Sequence, residues 1–139
     1  MVGAGLLGIG LIHLLDLRSK FDETPYLGIL YVALILGCVA VAGLLAFRWS
    51  ARLWAAAALL AGLPLAGYIV SRSVGLPGAK DDIGNWLEPL GLASLFVEAV
   101  TLILCLAATT RASSDAAPAT RSHEGGAMDR AERRDSARV

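Results

Sequence analysis

The sequence predicts an all-α integral membrane bundle of four transmembrane helices with a disordered C-terminal tail. Three observations predict it. Of the 139 residues, 56% are hydrophobic, above the roughly 45–50% usual for a soluble domain. Almost all charges gather in residues 16–25, 48–52, 72–88 and 111–139. Between these patches lie uncharged runs approaching or exceeding the ~20 apolar residues that a helical span requires.

The first run is Val2 to Leu17. It is short for a span, and a cleaved signal peptide is the rival reading. That rival needs a basic n-region and a small-x-small cleavage site. Met1-Val2-Gly3 offers no basic side chain, and the run closes on His13, Asp16 and Arg18. It therefore reads as a retained first helix, residues 2–17. The second run, residues 26–47, follows Pro25, which suits a first helical turn because its missing N–H is not needed there. The third covers residues 53–71 and carries Pro64, whose ring and missing donor predict a kink. The fourth covers residues 89–108.

The connections agree with this division. Arg48 to Arg52 allows only a tight turn between antiparallel helices. Ser71 to Glu88 is longer and contains Leu76-Pro77-Gly78, in which Pro presets φ at one turn position and Gly accepts φ > 0 at the next. Residues 109–139 carry Ser, Asp, Pro, Arg and Glu with few large apolar side chains. Such a segment has too little to bury and reads as a disordered polar tail, with at most a marginal helix over Met128 to Arg138.

Orientation follows from the basic residues. Four spans place the N-terminus, the 48–52 turn and the tail on one side, with Arg48, Arg52, Arg111, Arg121 and four further tail arginines. The opposite side holds Arg18, Lys20, Arg72 and Lys80. The arginine pair in the shortest turn and the basic tail favour both termini in the cytoplasm of a cell with this chain in its plasma membrane. Phe47, Trp49 and Trp54 mark one interface, and Phe21, Tyr26 and Trp86 the other. Arg outnumbers Lys ten to two, a bias associated with high-GC bacterial genomes. Formal net charge is zero, which gives no reason to expect a nucleic acid partner. The expected partners are the lipid bilayer and either a second copy of the chain or another membrane subunit.

Several patterns invite chemistry and are better read as packing. Gly3-Ala4-Gly5-Leu6-Leu7-Gly8 matches GxGxxG, but a dinucleotide site needs a preceding strand. Inside an apolar run, small residues let helices approach closely. Ala58, Gly62 and Ala66 make a similar stripe. Cys38 and Cys105 stand alone in apolar runs, and no ligand pair has metal spacing, so no metal, cofactor or catalytic residue is expected. Asp22-Glu23 and Asp81-Asp82 could cup a divalent cation, although solvated loop acids are the commoner case.

The fourth helix is the most informative. Gly91, Ser94, Glu98, Thr101 and Cys105 share one face, while Leu92, Leu95, Phe96 and Leu102 occupy the others. Glu98 lies nine residues past Pro89, about 14 Å deep at ~1.5 Å per residue. A charged carboxylate there costs several kcal/mol, so it is expected to be paired or protonated. His13, with Asp16 on the same face of the first helix, and Tyr68, with Arg72 on one face of the third, are the candidate partners. His13 and Tyr68 are placed about 6 Å below the outer boundary, leaving a level gap of about 8 Å to Glu98, which three long side chains leaning together could largely close. The candidate intramembrane polar site is therefore Glu98, His13, Tyr68, Arg72 and Asp16.

At Ser71-Arg72-Ser73-Val74-Gly75-Leu76-Pro77-Gly78, then Gly84-Asn85-Trp86-Leu87-Glu88-Pro89-Leu90-Gly91, then Ser94 and Glu98, the chain resembles a family of small four-helix membrane proteins from actinobacteria. The resemblance covers roughly residues 10–108. It implies that residues 71–98 act as one unit, and it brings no catalytic residue with it.

Three function classes follow. The first is a non-enzymatic accessory or structural membrane subunit. The second is a small proton- or cation-coupled transporter or proton-binding subunit using the buried carboxylate. The third and weakest is a membrane enzyme.

Overall fold

The computed structural model describes residues 1–116, with side chains for residues 1–110. Four helices follow in order: α1 Val2–Glu23, α2 Pro25–Phe47, α3 Ala51–Ser73 and α4 Pro89–Ala116. Each contains a stretch long and apolar enough to cross a membrane. The 22 residues of α1 and the 23 of α2 and α3 extend some 33–35 Å at ~1.5 Å per residue, enough for a hydrocarbon core of about 30 Å. Among the described residues no strand forms; Leu76 and Ala79 make an isolated bridge. The exterior is apolar, with Leu15, Ile29, Leu36, Phe96 and Ile103 all strongly exposed. Such a surface has lipid as its natural solvent.

Two helix ends differ from the sequence expectation. α1 does not stop at Leu17 but continues to Glu23. Apolarity ends before helicity does, because the last turns hold themselves together outside the hydrocarbon. Ser19 Oγ donates to Glu23 Oε1 at 2.8 Å and Lys20 Nζ to Glu23 Oε2 at 2.9 Å, pairs at the spacings that meet on a helix surface. α4 likewise continues past Ala108 to Ala116. No Gly or Pro interrupts that stretch, and the next proline is Pro118. The remainder of the expected tail, including Met128 to Arg138, lies outside the described residues.

Thr24 alone separates α1 from α2. A residue before proline is pushed out of the helical region, and Thr24 sits at φ −149, ψ 89. Its N–H still closes α1 on the Lys20 carbonyl at 2.9 Å, and its own carbonyl accepts the Leu27 N–H at 2.9 Å. The chain therefore reverses within one residue.

The α3–α4 connection is ordered by glycine geometry. Gly75, at φ +82, follows the end of α3 and places its N–H on the Val70 carbonyl at 3.1 Å, satisfying one of the last helical carbonyls. Gly78, at φ +78 after Pro77, makes the expected turn, closed by the Ala79 N–H on the Leu76 carbonyl at 2.9 Å. The loop then returns to α3, where the Gly84 N–H meets the Arg72 carbonyl at 2.9 Å. Tyr26 Oη donates to the Pro77 carbonyl at 2.7 Å, which pins the loop to the start of α2. The α1–α2 turn and the 74–88 loop thus share one end of the bundle, called here the loop end.

Small residues set the helix spacing. A side chain at Gly5 would collide with the Thr101 hydroxyl, one at Gly8 would press Val97, and one at Gly10 would touch Cys38. The GxGxxG match is accordingly a close-packing face within α1, as expected in lipid. Gly62 of the α3 stripe faces Leu102. Buried α1 residues Val2, Leu6, Ile9, Gly10 and His13 form one stripe at helical spacing.

Candidate functional site

The small polar stripe of α4 faces the interior: Ser94, Glu98, Thr101 and Cys105 are all buried, and Glu98 is 1% exposed. Ser94, one turn earlier, donates its hydroxyl to Glu98 Oε1 at 2.6 Å. His13 arrives from α1 and places Nε2 3.8 Å from the same oxygen. That is too long for a direct hydrogen bond and within ion-pair reach. The other oxygen, Oε2, is buried and meets no hydrogen-bond partner.

The tautomer of His13 follows from its second contact. Nδ1 lies 2.9 Å from the Ile9 carbonyl oxygen. A carbonyl only accepts, so Nδ1 carries the hydrogen. In the neutral ring Nε2 is then a bare acceptor aimed at Glu98, and in the imidazolium it is a donor. Tyr31 of α2 packs edge-on against the imidazole, with ring centroids 4.6 Å apart, and fixes its plane. Two buried ionisable groups therefore face each other 3.8 Å apart.

The expected level gap between His13 and Glu98 is not found. It rested on ending α1 at Leu17. With α1 reaching Glu23, His13 lies deeper, about 15 Å from the helix end at ~1.5 Å per residue, level with Glu98.

Tyr68 and Arg72 are corrected as partners of Glu98. They belong to a second cluster at the loop end. Arg72 is buried, and its Nη1 lies 2.6 Å from Asp82 Oδ1 and its Nη2 3.6 Å from Glu88 Oε2. The guanidinium also covers the Tyr68 ring at 4.9 Å from the centroid. Tyr68 Oη donates to the Trp86 carbonyl at 3.0 Å, and its ring lies against Gly91, about 10 Å from the level of Glu98 by the helix rise. Two loop acids close enough to neutralise a guanidinium draw Arg72 toward themselves rather than into hydrocarbon.

Asp16 stands between the clusters. It is half-buried, one turn from His13 toward the loop end. Its charged neighbours are Lys20, Glu88, Glu23 and His13.

The acidic loops do not form a cation cup. Glu23 is held by Ser19 and Lys20. Asp82 is held by Arg72 and by Ser71, whose hydroxyl donates at 3.3 Å. Among the described residues no group of three or more His, Cys, Asp or Glu side chains gathers as a metal site.

Sequence reasoning missed Tyr31. Its signal was a phenol inside an otherwise apolar run, which helical periodicity alone could not aim. Ser94 was placed on the right face without being recognised as the group nearest Glu98, although a hydroxyl one turn away on the same helix is within ordinary reach.

No family model, curated protein or solved structure matches the chain, so the class of protein rests on the fold: four helices able to span a membrane, compatible with a small multi-pass membrane protein.

Proposed function

We propose that this chain is a non-enzymatic multi-pass membrane protein that binds a proton reversibly at Glu98 and His13, as an accessory or proton-coupling subunit. The observation that carries this reading is the state of Glu98. A buried carboxyl has one oxygen against Ser94 and a histidine and the other without a partner. Ionised alone it would cost several kcal/mol, and a shared proton with His13 removes that cost. Ionisable groups within a membrane segment are expensive to keep, which favours a functional role.

The order of the groups supports the non-enzymatic reading. In a nucleophile–base–acid relay the hydroxyl contacts the imidazole and the acid lies behind it. Here Ser94 donates to the carboxyl, and the carboxyl separates it from the imidazole. The distribution of arginines favours a plasma membrane location with both termini cytoplasmic.

The test is infrared difference spectroscopy of the full chain in lipid vesicles across a pH titration. A protonated-carboxyl C=O band should appear and vanish with pH, be lost in Glu98→Gln, and be indifferent to exchange of sodium for potassium. Absence of any titrating band assigned to Glu98 rejects the reading in favour of a purely structural hydrogen-bond set. Sodium dependence would reassign the site to a cation.

A further inference from the structure

The buried residues are sorted along the bundle. On the side of Glu98 away from the loop end lie Leu6, Ile9, Cys38, Ala57, Ala61 and Cys105, each 0% exposed. Only Thr101, packed beside Gly5, interrupts them, and the cavity of about 300 Å³ that these two line with Val97 and Val100 is otherwise apolar. From Glu98 toward the loop end, the buried side chains are His13, Thr24, Ser71, Arg72, Ser94 and Glu98 itself. The buried side chains of one half of the bundle are apolar apart from Thr101, and those of the other half are polar.

Resting on the reading of Glu98 and His13 as a proton site, we infer that protons reach it from the loop end alone, with Asp16 as the relay. Asp16 is the only carboxylate among the described residues between the loop acids and His13 along α1. On its own helix it shares a face with His13, three residues before it, and Lys20, four residues after it, and Lys20, Glu88, Glu23 and His13 are the charged groups that act on it. Tyr31, half-buried on α2, packs edge-on against the imidazole with ring centroids 4.6 Å apart. At the loop end Lys20, Arg72, Asp82 and Glu88 are joined by ion pairs of 2.6–4.0 Å. Among the described residues, Thr101 is the buried polar side chain on the α2–α3 side of Glu98, and it is not ionisable.

The step balances. Asp16 takes a proton from loop-side water and becomes the carboxylic acid. It passes that proton to the His13–Glu98 pair and returns to the carboxylate. The pair moves from one net negative charge to neutral, with the proton on Glu98 or on His13 Nε2. Release follows the same route in reverse. A site open to one side only loads and unloads without moving a proton across the bilayer, which is the behaviour of a sensor or a coupling subunit and not of a channel.

The experiment uses the full chain in vesicles of one orientation, with rapid pH jumps applied to one face at a time and the Glu98 carboxyl band followed in time. A jump on the loop face should change the band promptly, and a jump on the α2–α3 face should change it only as fast as protons leak across the lipid. Asp16→Asn should slow the response by roughly 10²-fold, the lower end of what a positioned acid–base group contributes to a proton transfer. It should leave the final amplitude unchanged, and Asp16→Glu should recover the rate. Equal responses from both faces overturn the one-sided access using wild-type protein alone. An unchanged rate in Asp16→Asn overturns the relay. A wild-type band that never responds rejects the underlying proton site instead, so the failures are distinguishable.

Discussion

Glu98 sets the terms at the scale of single residues. Its carboxyl is enclosed by Ser94 and His13 with one oxygen left over. An amide of the same shape keeps a carbonyl to accept from Ser94 and offers an N–H₂ in place of the orphan oxygen. Glu98→Gln should therefore leave the thermal unfolding of the purified protein in detergent near wild type while removing the titrating carboxyl band. Glu98→Ala should destabilise by roughly 1–3 kcal/mol, because Ser94 and the imidazole lose their partner; an unaffected melting point would show that the hydrogen bonds contribute nothing. Arg72 makes a different demand. Its guanidinium is 7% exposed while Asp82 and Glu88 remain partly open to solvent, at 24% and 37%. Removing one partner of a fully buried pair costs about 3–5 kcal/mol. With both acids able to rehydrate, Arg72→Gln should cost less, roughly 1–3 kcal/mol. The loss should appear first as protease cleavage in the 74–88 loop, since that is the segment Arg72 ties down.

At the scale of elements, the α1–α4 contact depends on a glycine meeting a threonine. A methyl group at Gly5 would strike the Thr101 hydroxyl. Overpacking of this kind typically costs about 1–3 kcal/mol. Gly5→Ala should weaken resistance to SDS unfolding by that amount, and combining it with Thr101→Ala should recover most of it, because the nearest colliding atom is the one removed. A double variant no better than Gly5→Ala would mean that the helices are held apart by something else. The end of α4 makes a second prediction. Residues 112–139 carry few large apolar side chains to bury, so truncation after Arg111 should leave membrane insertion intact, assayed by carbonate extraction. Loss of the protein on truncation would identify the tail as a docking element.

At the scale of the whole molecule, the order of the helices places residues 1, 48–50 and Ala107 of α4 at one end of the bundle and the loop at the other. The arginines around that first end predict that it faces the cytoplasm. Reporter fusions after residues 50 and 112 should both read cytoplasmic, and a periplasmic signal from either would reverse the orientation. With the reversal, the polar half of the bundle would open inward, and the proton entering at Asp16 would come from the cytoplasm.

Hydropathy and charge spacing alone determined the number of helices, their approximate spans, the buried face of α4 and the depth of Glu98. These are local properties: a side chain's periodicity on its own helix and its distance from the charged ends are both written in one dimension. Helix ends were less legible, since apolarity marks the hydrocarbon boundary while side-chain bonds such as Ser19 to Glu23 continue the helix beyond it. The partner of Glu98 was decided by the tertiary structure. His13 and Tyr68, with Arg72 behind them, were candidates in sequence, and the choice among them depends on how far α1 extends and on where Asp82 and Glu88 come to rest after the loop folds back on α3. Relative axial register between helices is set by packing against Gly5, Gly8 and Gly10 and by ion pairs across a turn. No single helix's pattern contains that information.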